Sequence, residues 1–112
     1  MAFFSKITSF ERFKEVSREK GKMNLFYFSS PDCGVCSVIK PRISNMLENY
    51  PKLKGYDIDI NDDPMISGQL SLFSVPAVLV FYEEKELIRE TRFIVMDQLI
   101  PRIKRLLNNL DC

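Results

Sequence analysis

The residues with the clearest potential for chemistry are Cys33 and Cys36, which are separated by Gly34 and Val35. Two cysteines at this spacing can close a small disulfide ring with little movement of the backbone. The pair follows an apolar, strand-like run and opens a helix-like segment, and a helix N-terminus stabilises the thiolate that attacks disulfides. The position of the two cysteines therefore predicts dithiol–disulfide chemistry.

The composition restricts the other kinds of site. The chain of 112 residues contains three cysteines and no histidine. A structural zinc ion takes about four ligands, so a closed metal site within one chain is not expected, while a site shared between two chains stays open. Without a histidine base, serine-hydrolase chemistry at Ser29 or Ser30 is excluded. The third thiol, Cys112, is expected to be a frayed terminal group.

The net charge and the hydropathy limit the partners and the location. The formal net charge is +1, which gives no strong attraction to nucleic acid or to anionic lipid. No apolar run approaches the ~20 residues of a membrane span, and the segment 1–10 is too short and too polar for a signal-peptide core. We therefore expect one domain over residues 1–112 that is cytoplasmic and monomeric and binds neither nucleic acid nor a membrane.

The elements that must hold the cysteines follow from the pattern of apolar residues. Strands, numbered β1 to β5 in chain order, are predicted at Phe3–Ile7, Met23–Phe28, Leu53–Ile60, Ala77–Tyr82 and Glu86–Phe93. Helices α1 to α4 are predicted at Ser9–Lys20, Val35–Tyr50, 64–72 and Asp97–Asn108, with Asp62 or Asp63 as the cap of α3. Thr8 and Glu11 have capping-box spacing at the start of α1. A charged turn at 83–86 joins β4 to β5, and Pro41 predicts a kink in α2. The order predicts one α/β domain.

With these elements in place, the sequence resembles the thioredoxin family over nearly its whole length. The resemblance rests on the Cys33–Cys36 motif, on Pro41, on the segment Asp57–Pro64 and on the segment Ser74–Ala77. It implies the thioredoxin fold, a central mixed sheet in the order β1-β3-β2-β4-β5 flanked by four helices. It also implies a thiol–disulfide oxidoreductase that reduces protein or low-molecular-weight disulfides, binds no cofactor, and is recycled by an external reductase or thiol.

The resemblance implies a role for each residue of the two central motifs. Cys33 would be the exposed nucleophile, and Cys36 the partly buried resolving thiol that attacks the mixed disulfide and releases the reduced substrate. Pro76, which is cis in the family, would shape the groove beside the thiols and deny a metal access to them. The backbone of Val75 would pair with an extended segment of the substrate.

Three residues beside the nucleophile, Asp32, Gly34 and Val35, are expected to contact the substrate and to tune the dithiol. Asp32 stands where the family usually has tryptophan, and a carboxylate at this position opposes formation of the thiolate. Val35 stands where the family usually has proline, so its N–H could donate to the Cys33 thiolate and favour it. The two effects oppose each other, and the sequence does not give the sign of their sum.

The buried acid of thioredoxins, which is thought to accept the proton of the resolving cysteine, falls at Tyr27. A tyrosine with an ordinary pKa near 10 is a poor base at neutral pH. Asp57, on the neighbouring strand β3, is therefore predicted to supply the catalytic acid. The alternative is that Asp57 belongs only to a polar face of that strand.

Two other functions stay open at this point. The chain could be a redox-inactive interaction module with a thioredoxin fold, but such a module has no physical reason to retain both Cys33 and Cys36. It could also carry a metal or an iron–sulfur cluster between two chains through the same cysteines, and Pro76 argues against that function.

Overall fold

Strands and helices alternate along the chain in the computed structural model, which describes residues 4–110. The strands are β1 (Phe4–Ile7), β2 (Met23–Ser29), β3 (Leu53–Asp59), β4 (Ala77–Tyr82) and β5 (Lys85–Thr91), and the helices are α1 (Phe10–Ser17), α2 (Gly34–Glu48), α3 (Pro64–Leu70) and α4 (Met96–Leu110). The predicted order of elements is confirmed. Cys112 lies outside the described residues. Within 4–110, no helix is long and apolar enough to cross a membrane.

The five strands form one mixed sheet in the order β1-β3-β2-β4-β5, as the resemblance implies. β3 runs parallel to both β1 and β2, whereas β4 runs antiparallel to both β2 and β5. The central strand β2 is fully buried from Leu25 to Phe28. A central strand covered by helices on both faces has no solvent side, and this is why its sequence is continuously apolar rather than alternating.

Two apolar layers fix the helices on the sheet. One layer joins Leu25 and Tyr27 of β2 to the buried sides of α2 and α4, and the other joins Phe26 and Phe28 to α1 and α3. Each large side chain buried in this way stabilises the fold by about 1.5–3 kcal/mol. Because Ile43 and its neighbours on α2 are part of the first layer, the N-terminus of α2 is held at the carboxyl end of β2.

The start and the end of α1 differ from the prediction. Ser9 is the N-cap, and its side-chain oxygen accepts a hydrogen bond from the Arg12 N–H at 3.1 Å. The capping box predicted at Thr8 is therefore wrong, because the chain enters the helix one residue later. The helix ends at Ser17 rather than near Lys20.

The turn between β4 and β5 is shorter than predicted. Glu83 and Glu84 both have left-handed backbone conformations, with φ of 48° and 72°. This is the conformation that a two-residue hairpin loop requires, since its twist matches that of the flanking strands. The Glu84 N–H donates to the Ser17 carbonyl at 2.9 Å, so contacts with the end of α1 support the turn. The prediction of a four-residue turn at 83–86 is wrong, and β5 begins at Lys85.

Candidate active site

Cys33 and Cys36 lie where the central strand passes into α2. β2 ends at Ser29, and Cys33 is the N-cap of the helix that begins at Gly34. The two cysteines form a disulfide, with their Cα atoms 5.3 Å apart. The structure therefore represents the oxidised state, in which the sulfur atoms are bonded to each other. Helix α2 continues to Glu48 with Pro41 inside it, while the kink at Pro41 stays a prediction.

The two sulfur atoms differ in accessibility. Cys33 is partly exposed, whereas Cys36 is buried with 4% of its surface accessible. An incoming thiol or disulfide can therefore reach Cys33 more easily than Cys36. This asymmetry is the arrangement that an attacking thiol and a resolving thiol need.

A backbone donor is directed at the Cys33 sulfur. The Cys36 N–H donates to Cys33 Sγ at 3.2 Å, because an N-cap side chain accepts from the third residue of its helix. The sequence offered the Val35 N–H as a donor to this sulfur, whereas the donor in the oxidised structure is the Cys36 N–H. A donor at this position stabilises negative charge on Cys33 when the disulfide opens.

The three residues next to Cys33 that were predicted to contact a substrate lie on the surface. Asp32, Gly34 and Val35 are all exposed, and the Val35 side chain is 56% accessible although it is apolar. A Cβ added at Gly34 would meet no atom within 4 Å. The surface next to Cys33 is therefore open, with one carboxylate and one apolar side chain at its rim.

The segment that carries Val75 and Pro76 lies at the same end of the sheet as the disulfide. The Val75–Pro76 peptide bond is cis. Ala77, the next residue, pairs with Phe28 near the end of β2, and the Pro76 carbonyl accepts the Arg92 N–H at 2.9 Å. These pairings hold the segment beside the loop from which Cys33 emerges.

Tyr27 lies beneath the site as a structural donor. Its side chain is fully buried, and its hydroxyl donates to the Cys36 carbonyl oxygen at 2.6 Å. Burial, together with the nearby charge of Asp57, raises the pKa of Tyr27 above its ordinary value. Tyr27 therefore stays protonated at neutral pH and does not act as a base.

The pairing of β2 with β3 brings Asp57 close to Tyr27. Asp57 lies opposite Tyr27 in the register, and its Oδ2 accepts a hydrogen bond from Lys40 Nζ at 2.6 Å. The Asp57 side chain is 16% accessible and that of Lys40 is 45% accessible. Asp57 is thus a partly buried carboxylate in an ion pair, on the face of the sheet that packs against α2.

Lys40 is a residue of the site that the sequence analysis did not identify. An open cavity of about 290 Å³ lies beside the disulfide and is lined by Ser29, Ser30, Pro31, Cys33, Gly34, Cys36, Ser37 and Lys40. Lys40 therefore contacts both this cavity and Asp57. The spacing provided a signal, because Lys40 follows Cys36 by one helical turn and lies on the same face of α2.

Two exposed aromatic residues at this end of the sheet were also missed. Phe73 is 92% accessible and precedes the Val75–Pro76 pair, and Phe93 is 79% accessible and follows Arg92, the residue bonded to Pro76. Both side chains therefore present apolar area to solvent at the end of the sheet that carries the disulfide. Among residues 4–110, no cluster of three or more acidic, cysteine or histidine side chains has the arrangement of a metal site.

Comparison with known proteins shows which family the chain resembles in sequence. The family model described as Thioredoxin matches residues 4–105. The thioredoxin-like protein YdfQ of Bacillus subtilis (strain 168) is 34% identical over 84 residues, which is 75% of this chain and 75% of that protein. A thioredoxin of Ophiophagus hannah is 29% identical over 91 residues, covering 81% of this chain and 86% of that protein.

The solved structures agree in fold. Thioredoxin NaTrxh from Nicotiana alata superposes with a TM-score of 0.83 at 20% identity, over 93% of this chain and 92% of that chain. Thioredoxin from Trypanosoma brucei brucei superposes with a TM-score of 0.82 at 15% identity, over 94% and 91%. Because the family model spans nearly all of the described residues and the Cys33–Cys36 pair is in place, the chain belongs to the thioredoxin family and is a thiol–disulfide oxidoreductase.

Proposed function

We propose that the chain reduces disulfide bonds in other proteins through the Cys33–Cys36 dithiol. The Cys33 thiolate attacks one sulfur of the substrate disulfide, forms a mixed disulfide with it and releases the first substrate thiolate. Cys36 then attacks Cys33 Sγ, which closes the Cys33–Cys36 disulfide and releases the second. Two electrons pass to the substrate, and an external reductase or a small thiol returns the oxidised pair to the dithiol.

The observation that carries this proposal is the asymmetry of the two cysteines. Cys33 is accessible, caps a helix and receives a backbone N–H on its sulfur, while Cys36 is buried directly behind it. The accessibility of Cys33, its position at the helix N-terminus and the N–H on its sulfur all favour Cys33 as the attacking group. The opposite order of attack would require the buried sulfur to meet the substrate first.

The surface around the dithiol supports proteins, rather than small disulfides, as the substrate class. Phe73, Phe93 and Val35 are large apolar side chains that are more than half exposed at the end of the sheet that holds the dithiol. A small disulfide is too short to cover such a surface, whereas a polypeptide can do so. We further propose that the Val75 backbone pairs with an extended substrate segment, with Pro76, Gly34 and Asp32 completing the contact surface.

We assign the base for the resolving step to Asp57. The raised pKa of Tyr27 keeps its hydroxyl protonated at neutral pH, so Tyr27 cannot accept the proton of Cys36. Asp57 is the carboxylate adjacent to Tyr27 in the sheet, on the face that packs against α2. We also propose that the protein acts in the cytoplasm, where small thiols and reductases are available to return the oxidised pair to the dithiol, and that it acts as a monomer.

The test compares a protein disulfide with a small one. Reduction of insulin and of glutathione disulfide is followed with dithiothreitol as donor, using the chain, Cys33→Ser and the double variant Phe73→Ser/Phe93→Ser. We expect Cys33→Ser to be inactive on both substrates, and the double variant to lose about tenfold in kcat/KM on insulin alone, because two desolvated aromatic contacts are removed. Leu110→Ser, which also replaces an exposed apolar residue, is the control.

Three results would overturn the assignments. Equal loss on both substrates in the double variant would contradict a docking role for the aromatic residues. Activity confined to the small disulfide would make low-molecular-weight disulfides the substrate class. A wild-type chain that reduces neither substrate would favour the redox-inactive interaction module.

A further inference from the structure

The side chain of Arg89 joins the edge strand β5 to the end of helix α3. Its Nη2 donates to the Leu70 carbonyl oxygen at 2.8 Å, and its Nη1 donates to the Ser71 carbonyl oxygen at 3.3 Å. Leu70 is the last residue of α3 and Ser71 is its C-cap. The final carbonyl groups of a helix have no partner within the helix. Arg89 therefore satisfies carbonyl groups that the helix itself leaves unpaired.

The guanidinium of Arg89 is held in place by Glu86 on the same strand. Nε and Nη2 of Arg89 donate to the two carboxylate oxygens of Glu86, at 2.9 Å and 2.8 Å. Both side chains are mostly buried, with 32% of Arg89 and 35% of Glu86 accessible. Two parallel hydrogen bonds to one carboxylate fix the plane of a guanidinium as well as its position. The group that meets α3 is thus oriented from β5.

The residues that follow α3 lead directly to an exposed aromatic side chain. Ser71 has a left-handed backbone with φ of 54°, a conformation that residues other than glycine rarely adopt. Leu72 is buried, and Phe73 beyond it is 92% accessible. The course of the chain toward Phe73 therefore depends on an unfavourable turn at Ser71, and Arg89 contacts the backbone of that turn.

The segment 70–76 is also attached to β5 at its other end. The N–H of Arg92, the residue after the strand, donates to the Pro76 carbonyl oxygen at 2.9 Å. The next residue, Ala77, pairs with Thr91 of β5. Phe73 lies between these two attachments. One strand thus holds both ends of the segment, through the Arg89 side chain at one end and through its backbone at the other.

We infer that Arg89 is a positioning residue for protein substrates, and that it acts by fixing the end of α3 so that Phe73 is presented at the docking surface. The inference rests on the proposed function, in which Phe73 contacts the substrate. Ordering a loop on binding reduces affinity, and a binding surface that is only partly populated raises the apparent dissociation constant in proportion. A small disulfide that meets only Cys33 does not depend on the position of Phe73.

The test compares the kinetics of a protein disulfide with those of a small one. Reduction of insulin and of glutathione disulfide is measured, with dithiothreitol as donor, for wild type, Arg89→Met, Arg89→Lys, Phe73→Ser and Arg89→Met/Phe73→Ser. Methionine retains an unbranched apolar side chain but removes every donor. The control is Arg12→Met, which breaks an exposed ion pair of the same i,i+3 spacing on α1.

We expect Arg89→Met to raise KM for insulin about fivefold, the upper limit for contacts of a partly exposed charged group, and to leave kcat unchanged. The kinetics with glutathione disulfide should stay at the wild-type values. Arg89→Lys should keep most of the increase, because an ammonium group lacks the planar fork that spans Glu86 and both carbonyl groups. In the Phe73→Ser background, Arg89→Met should have no further effect.

The outcomes separate the inference from the function on which it rests. If Phe73→Ser leaves insulin kinetics unchanged, the proposed docking surface fails and the inference fails with it. If Phe73→Ser raises KM for insulin but Arg89→Met does not, the inference alone is overturned.

Three results would assign a different role to Arg89, and each would also overturn the inference. An equal effect of Arg89→Met on both substrates, or an effect that persists in the Phe73→Ser background, would indicate a general role in the fold. A wild-type KM in Arg89→Lys would show that only the positive charge matters.

Discussion

The hydroxyl of Tyr27 allows a direct test of how much its hydrogen bond to the backbone of Cys36 stabilises the protein. It donates to the Cys36 carbonyl oxygen at 2.6 Å from a fully buried side chain. Tyr27→Phe removes this hydroxyl and keeps the ring, whose centre lies 5.9 Å from that of Phe4. The variant therefore separates one hydrogen bond from the packing of the aromatic side chain. Tyr50→Phe, at a half-buried tyrosine, is the matched control.

The expected loss can be estimated from the burial of the bond. A hydrogen bond within a protein contributes about 0.5–1.5 kcal/mol net to the free energy of unfolding. Because this bond is buried and short, we expect Tyr27→Phe to lower the free energy of unfolding by about 1–1.5 kcal/mol. For a domain of this size, that loss corresponds to a decrease in Tm of about 4–6 °C.

The pH dependence of this loss has a defined sign. Burial first, and the charge of Asp57 second, raises the pKa of Tyr27, whereas the unfolded chain releases the same proton near pH ~10. The contribution of the hydroxyl to stability is therefore complete below about pH 10 and is lost as the pH rises beyond that value. The difference in stability between wild type and Tyr27→Phe should shrink at alkaline pH.

The first assay is urea unfolding of the oxidised proteins, monitored by circular dichroism at about pH 7 and about pH 10.5. The second assay measures the rate of insulin reduction as a function of pH for wild type and Tyr27→Phe. Equal free energies of unfolding for Tyr27→Phe and wild type would refute the structural role of the hydroxyl. A shift of the reduction profile near neutral pH would refute the argument that Tyr27 takes no part in proton transfer. We expect neither result.

Three further predictions address other parts of the chain. Cys36→Ser should accumulate a mixed disulfide between Cys33 and the substrate, visible by intact-mass measurement without reductant; absence of that adduct would contradict the order of attack. Ile43→Val and Ile43→Ala, at a fully buried residue of α2, should lower the free energy of unfolding by about 1 and about 3 kcal/mol, and equal losses in urea unfolding would mean that the site collapses around the smaller side chain. Asp63 accepts two backbone N–H groups, which lower its pKa, so its contribution to stability is present above about pH 4 and is lost as the pH falls through the lowered pKa. Asp63→Ala should therefore have a lower Tm than wild type at about pH 7 but not at about pH 2, and a deficit that persists in acid would contradict this account.

The local patterns of the sequence were sufficient to predict the order of elements and the position of the dithiol. The continuous apolar runs of β2 and β4 identify strands that are buried on both faces, because only a strand without a solvent side can omit polar residues. An aspartate at 62 or 63 ahead of Pro64 indicates the start of α3, since a capping carboxylate and a proline both suit a first helical turn, and the structure shows that Asp63 is the cap. The spacing of Cys33 and Cys36 indicates the chemistry. Each of these signals depends only on residues that are close together in the chain.

The tertiary structure alone decided which side chains meet beneath the dithiol. Lys40 and Asp57 lie 17 positions apart, and Tyr27 reaches the Cys36 carbonyl only because α2 packs across β2. These contacts depend on the register between strands and on the rotation of α2 about its axis. Both are set by the packing of the whole core, and no local pattern records them. For the same reason, Phe73 read in isolation is one apolar residue in a loop, and only the fold places it at the end of the sheet that holds the cysteines.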